Sequence, residues 1–158
     1  MLRCILTLLF CFFLAWGFSQ FGRSHPPFAA DGCGPRSLIA VSKVLGVPTG
    51  DKMVFARFPH GGRGETSFYE IASAAKTMGI DANPRQMTLN DLRREKPLGI
   101  LPVDGHHFVG LIGYERWHVL RIAETGYQGP NQIQRWSDSD LAARWDGAIL
   151  VLRRAQKR

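Results

Sequence analysis

The spacing of apolar residues changes character part-way along this chain, and that change limits the folds open to it more than any other feature. Up to about residue 95 the apolar positions recur at helical intervals. Leu38, Val41, Val44 and Leu45 form one stripe, with Pro35 suited to a first helical turn and Gly46 placed as a C′ stop. Ile71, Ala74, Ala75 and Met78 form a second stripe, opened by a capping box of Ser67 with Glu70 and closed before Gly79. Thr88 with Asp91 caps a short helix that runs through Arg94 and ends at Pro97. From Leu98 onward, short apolar runs predict strands: Leu98 to Val103, then a hairpin whose arms are Phe108–Ile112 and Trp117–Ala123 about a turn at Gly113 to Arg116. A short helix near Ser139 to Trp145 and a strand over Ala148 to Leu152 complete the order. Helices first and antiparallel strands after predict an α+β fold, in which an N-terminal helix packs on a small antiparallel sheet.

The 158 residues fit one such domain, at about 150 residues per domain. With 45% hydrophobic and 21% charged residues, the composition is that of a folded chain and excludes disordered or collagen-like classes. The first residues stand apart. After the basic start Met1-Leu2-Arg3, the stretch from Cys4 to Phe18 is apolar and uncharged, yet shorter than the roughly 20 residues of a membrane span. Ala15-Trp16-Gly17 places small residues three and one positions ahead of a cut. The expectation is a signal peptide over 1–17, with a retained N-terminal anchor and membrane attachment as the alternative, and hence an exported protein, either periplasmic, extracellular or membrane-anchored. Residues 18–30 are then a linker, 31–152 the folded domain and 153–158 a basic tail of Arg153, Arg154, Lys157 and Arg158. The net charge of +7 is otherwise diffuse, and no basic run is interleaved with aromatics as a stacking platform requires, so no nucleic-acid partner is expected.

Of three cysteines, Cys4 and Cys11 fall in the apolar leader, which leaves Cys33 as a single thiol that has no partner for an internal disulfide. It sits in Asp31-Gly32-Cys33-Gly34-Pro35, just ahead of the first predicted helix. Free N–H groups and the positive end of the helix dipole at such a place favour a thiolate and predict a lowered pKa. The flanking glycines leave room for a substrate backbone. The alternative is a small buried hydrophobe, as most free cysteines are.

A thiol nucleophile needs a base, and the chain holds five histidines. His25 and His60 lie in Pro/Gly-rich loops, and His118 suits a core or surface role on its strand. His106 and His107 open the predicted hairpin. If residue 112 faces 117, then 107 faces 122 and Glu124 becomes its diagonal neighbour, placed to orient the imidazole. A slip of one residue would send Glu124 to the other face. Asp104, His106 and His107 match no zinc-finger or His-Glu-x-x-His spacing, so no metal and no other cofactor is expected. Gly61-Gly62-Arg63-Gly64 lacks the Gly-Lys-Ser/Thr ending of a phosphate-binding loop and is taken as a turn.

These residues resemble the bacteriocin-processing, double-glycine-leader cysteine peptidases, a papain-like family. Asp31-Gly32-Cys33-Gly34-Pro35-Arg36-Ser37-Leu38 is similar to the family's Asp-Cys-Gly-(Pro/Ala)-x-x-Leu motif with one extra residue. Gly64 to Ser67, Ala72 to Gly79 and Thr88 to Leu92 resemble its middle region, and Trp136 to Leu152 resembles its stand-alone members. His107-Phe108-Val109 resembles its His-Phe-Val strand and selects His107 over His106. The resemblance implies a papain-like fold with Cys33 on the helix and His107 on the sheet, a peptide or protein substrate, and cleavage after small residues such as Gly-Gly.

The sequence departs from the family in two places. Glu124-Thr125 stands where the family has Asp-Pro, which makes Glu124 the third catalytic member. The family's oxyanion glutamine lies about six residues ahead of the cysteine, where this chain has Pro27. Gln20 is the only glutamine upstream and serves only if the intervening chain loops out, beside the backbone N–H of Cys33. A cysteine peptidase working through a Cys33 thioester is thus expected. A peptide-binding module on the same fold with weak or absent turnover is the alternative.

Overall fold

The computed structural model describes residues 32–62, 65–116, 119–124 and 132–156. The first helical stripe forms α1 (Cys33–Val44). It ends in a Schellman arrangement, with Gly46 N–H bonded to Lys43 O at 3.2 Å, Val47 N–H to Ser42 O at 3.0 Å and Gly46 at φ 69°. A short α2 (Asp51–Phe55) and a 3₁₀ turn (Pro59–Gly62) follow, the turn taking in Gly61 and Gly62 of the glycine-rich loop. The capping boxes of Ser67 with Glu70 and Thr88 with Asp91 open α3 (Phe68–Thr77) and α4 (Leu89–Glu95). A third box, Ser137 with Asp140, opens α5 (Asp138–Arg144).

Six antiparallel strands form one sheet in the order β1-β6-β2-β3-β4-β5, where β1 is Ile80–Gln86, β2 Gly99–Val103, β3 His107–Tyr114, β4 Leu120–Glu124, β5 Gln132–Trp136 and β6 Ala148–Arg154. The fold is α+β, as the order of periodicities implies, though β1 is threaded between two helices. Helices cover both faces of the sheet. Leu38, Val41, Ile71 and Ala75 from α1 and α3 pack with Ile100, Ile112, Leu150 and Leu152 on one face. Leu92 and Leu141 from α4 and α5, with Trp136 and Trp145, pack with Leu101, Val109, Leu111, Ile122 and Val151 on the other. Each such fully buried aliphatic side chain contributes about 1.5–3 kcal/mol relative to exposure.

Three expectations need correction here. β1 and β5 are edge strands whose outward residues are exposed, so neither carries the apolar alternation that marks a strand, and Pro84 further disguises β1. The last strand continues to Arg154, two residues beyond Leu152, and Ala155 N–H bonds to Gly79 O at 2.9 Å, so Arg153 and Arg154 belong to the sheet and not to a tail. The hairpin turn is longer in its first arm than expected. Ile122 faces Leu111 rather than residue 107, a slip of four, and Arg121 faces Gly113 rather than 108, a slip of five, the difference being a bulge between Leu111 and Gly113. Residues 1–31 lie outside the described part, and with them Gln20, His25 and the apolar leader. Among the described residues no helix is long and apolar enough to cross a membrane.

Candidate active site

Cys33 is the first residue of α1, directly after Gly32, which takes φ 76° at the N-cap. That left-handed turn is open to glycine at little cost. A side chain there would meet the Phe55 ring at 2.6 Å, and a Cβ on Gly34 would meet Thr66 Cγ2 at 2.6 Å. The two glycines therefore admit Phe55 and Thr66 and not a substrate backbone, contrary to the expectation from sequence. Cys33 itself is 7% exposed.

Burial also reverses the expected direction of its ionisation. Desolvation pushes the Cys33 thiol up from its ordinary value, and it outweighs hydrogen bonds from the backbone of Phe108, Gly34 and Cys33 itself, which act the other way. The unpaired N–H groups of the helix start do assist the thiolate, as their position requires. They do not overcome the loss of water.

Phe108 is the residue after His107, so α1 presents its thiol to the first residues of β3. The contact is fixed one helical turn further on, where the buried hydroxyl of Ser37 donates to Phe108 O at 3.0 Å. Ser37 lies four residues after Cys33, on the same side of the helix. That spacing is the signal by which sequence alone would have found it. Gly110 permits the close approach, since a Cβ there would stand 3.3 Å from Ser37 O. Among the described residues no hydrogen bond joins Cys33 Sγ to the His107 ring, and the bonds of a catalytic pair commonly tighten only when substrate is bound.

His107 begins β3 and shares its alternation with Val109 and Leu111. The register slip at Ile122 is an even number of residues, so Glu124 stays on the face expected of it although the pairing is different. Burial holds the His107 imidazole below its ordinary value. Glu124 and Asp104 pull it upward, while Arg144 and His106 push it down. Burial thus disfavours the charged form of both groups.

Arg144 is a member of this cluster that sequence reasoning missed. From the last turn of α5 it bonds Asp104 through Nη2 at 2.6 Å and Nε at 3.0 Å, and reaches Glu124 Oε1 at 3.5 Å. Its guanidinium lies over the Trp136 ring, 4.2 Å from the centroid. Forty residues separate Arg144 from Asp104, and no local pattern announces the pairing. His118 lies outside the described residues, and His60 stands in the 3₁₀ turn. No group of three or more His, Cys, Asp or Glu placed to hold a metal occurs among the described residues.

Residues 30–157 match the model of the Peptidase C39 family. Among solved structures, a double glycine motif protease from an AMS/PCAT transporter, crystallised with the leader peptide, superposes with a TM-score of 0.63 at 19% identity over 78% of this chain and 84% of that one. The peptidase domain of Streptococcus ComA, a bi-functional ABC transporter of a quorum-sensing pathway, gives a TM-score of 0.62 at 21% identity over 83% and 96%. The N-terminal peptidase C39-like domain of a toxin secretion ATP-binding protein from Vibrio parahaemolyticus gives 0.61 at 17% identity over 78% and 98%. At these identities the likeness is one of fold. No curated protein matches the chain. The matched span takes in Cys33, the whole described sheet and the helices on both its faces, and the chain belongs to the peptidase C39 family of cysteine peptidases, which are hydrolases.

Proposed function

We propose that this C39 domain is an exported, stand-alone cysteine peptidase that cleaves peptides after small, Gly-Gly-like residues. The observation that carries the reading is the meeting of α1 and β3, where Ser37, one turn after Cys33, donates its hydroxyl to the carbonyl of Phe108, the residue that follows His107. As peptide enters, neutral His107 takes the proton of Cys33 while sulfur attacks the scissile carbonyl. The tetrahedral oxyanion is stabilised by the backbone N–H of Cys33 at the helix start, with Gln20 as the side-chain donor. Collapse to the thioester releases the amine, which receives the proton from the imidazolium, and water then frees the acid by the reverse path. Glu124 orients His107 throughout.

A buried thiol beside a half-buried imidazole, both desolvated toward their uncharged forms, suits this mechanism, because deprotonation is then coupled to attack. A peptide substrate is supported by the relative crystallised with its leader peptide. Export is supported by the uncharged run from Cys4 to Phe18 behind Arg3.

The test offers the full chain a peptide with an internal Gly-Gly and a control with Val-Val in its place. Cleavage directly after Gly-Gly, absent in Cys33→Ala and His107→Ala, is expected. Binding without cleavage in the unaltered chain would instead establish a peptide-binding module on this fold. Fusing residues 1–30 to alkaline phosphatase tests export, since that reporter acquires its disulfides and activity only outside the cytosol.

A further inference from the structure

The turn that delivers His107 to the sheet is held from the far side by one residue. Asp104, Gly105 and His106 connect β2 to β3, and both Asp104 and Gly105 have left-handed backbone, at φ 54° and 75°. For a non-glycine residue that conformation is uncommon and persists where its surroundings fix it. Here they do so twice over. The Asp104 N–H donates to the main-chain carbonyl of Arg144 at 2.9 Å, and the Asp104 carboxylate accepts from the Arg144 side chain at 2.6, 3.0 and 3.2 Å. The same guanidinium reaches Glu124, and the Trp136 ring beneath it fixes its plane.

We propose that Arg144 is a positioning residue of the active site, which through the Asp104 turn and the Glu124 carboxylate fixes where the His107 imidazole stands. The inference rests on the reading of Cys33 and His107 as the reacting pair. Arginine suits the task where lysine would not, because a planar fork stacked on an aromatic ring engages two carboxylates in set directions. It also sets the charge that His107 meets. The described charged or titratable groups facing that ring are Glu124 from β4, Asp104 and His106 from the turn, and Arg144 from α5, with the Cys33 thiol approaching from α1. Without Arg144 both carboxylates lose their counter-ion, and His107 would hold its proton to higher pH.

The experiment compares the full-length chain with Arg144→Met and Arg144→Lys, following the ring resonances of His107 against pH by NMR and kcat/KM against pH on a Gly-Gly peptide. His107→Asn assigns the resonances. Arg144→Met is expected to move the His107 titration to higher pH, to move the acid limb of kcat/KM with it, and to lower its plateau by about tenfold to a hundredfold through misplacement. Arg144→Lys keeps the charge, so its titration stays near that of the unaltered chain while the plateau still falls. An unmoved titration in Arg144→Met would overturn the proposal, as would a loss of rate no larger than the unfolded fraction measured on the same sample. Should the unaltered chain not turn over the peptide, the peptidase reading falls and the titration alone decides: movement supports the role of Arg144 and its absence refutes it.

Discussion

The hydroxyl of Ser37 donates to the backbone carbonyl of Phe108 at 3.0 Å, and this bond pins the helix that carries Cys33 to the strand that begins with His107. Ser37 is fully buried, and its oxygen has no access to water as a substitute partner. The bond therefore ties Cys33 to His107, the proposed nucleophile and base, as well as contributing to stability. Ser37→Ala leaves the Phe108 carbonyl without this donor and is expected to cost about 1–3 kcal/mol in urea denaturation. It is also expected to lower kcat more than it raises KM, since the reacting atoms and not the peptide are displaced. An unchanged kcat in the folded variant would show that the Cys33–His107 spacing is held elsewhere.

The backbone ahead of Cys33 is as constrained as the helix that follows. Gly32 has both a left-handed φ of 76° and no space for a Cβ, with Phe55 2.6 Å away. Gly32→Ala is expected to destabilise by about 1–2 kcal/mol from the backbone alone, with the contact adding to it. In a Phe55→Ala background the contact is gone and the backbone strain remains, so Gly32→Ala should cost less there than in the unaltered chain but still more than nothing. Thermal melting of the two single variants and the double variant checks this. No cost of Gly32→Ala in the Phe55→Ala background would mean that φ at residue 32 relaxes without cost.

The thiol makes a prediction of its own. With desolvation pushing Cys33 upward from 9.0, the fraction present as thiolate at neutral pH is small despite the helix start. Alkylation by iodoacetamide is expected to be slower at pH 7.5 than that of a free cysteine and to rise only as pH climbs beyond 9, with little change in His107→Ala. Rapid alkylation well below pH 8.5 that is lost in His107→Ala would instead demonstrate a resting thiolate-imidazolium pair.

How far this could be seen in the sequence depends on whether a feature is local. The three capping boxes and the Gly46 stop involve residues within a turn of one another, and two of the boxes and the stop were legible as such. The α+β arrangement with Cys33 at a helix start also followed from periodicity. The hairpin pairing did not, because the bulge between Leu111 and Gly113 and the length of the turn leave no mark in the apolar runs of the two arms. The face of Glu124 came out as expected only because the slip past the bulge is even. Arg144 and the ionisation of Cys33 were illegible for a common reason. Each depends on what distant segments bring close, Asp104 and Glu124 in the first case and strand β3 against the start of α1 in the second.

Glu124 and His107 give the last prediction, in which the sign is the test. In the proposed mechanism His107 acts as base only when neutral, and burial pushes its pKa below 6.5, so kcat/KM is expected to be flat above pH 6.5 and to fall as acid protonates the ring below that value. The Glu124 carboxylate favours the protonated ring and Arg144 opposes it. Glu124→Gln should therefore shift the acid limb to still lower pH, the opposite direction to Arg144→Met, while reducing the plateau through loss of the proposed orientation of the ring. Stability follows by linkage. The unfolded chain binds the His107 proton more readily than the folded one, so folding loses stability as pH drops from 6.5 through the folded value, and no such loss arises at this site above 6.5. His107→Asn removes that contribution, and Glu124→Gln enlarges it. Acid limbs that moved the same way in Glu124→Gln and Arg144→Met would show that neither residue acts on His107 through its charge.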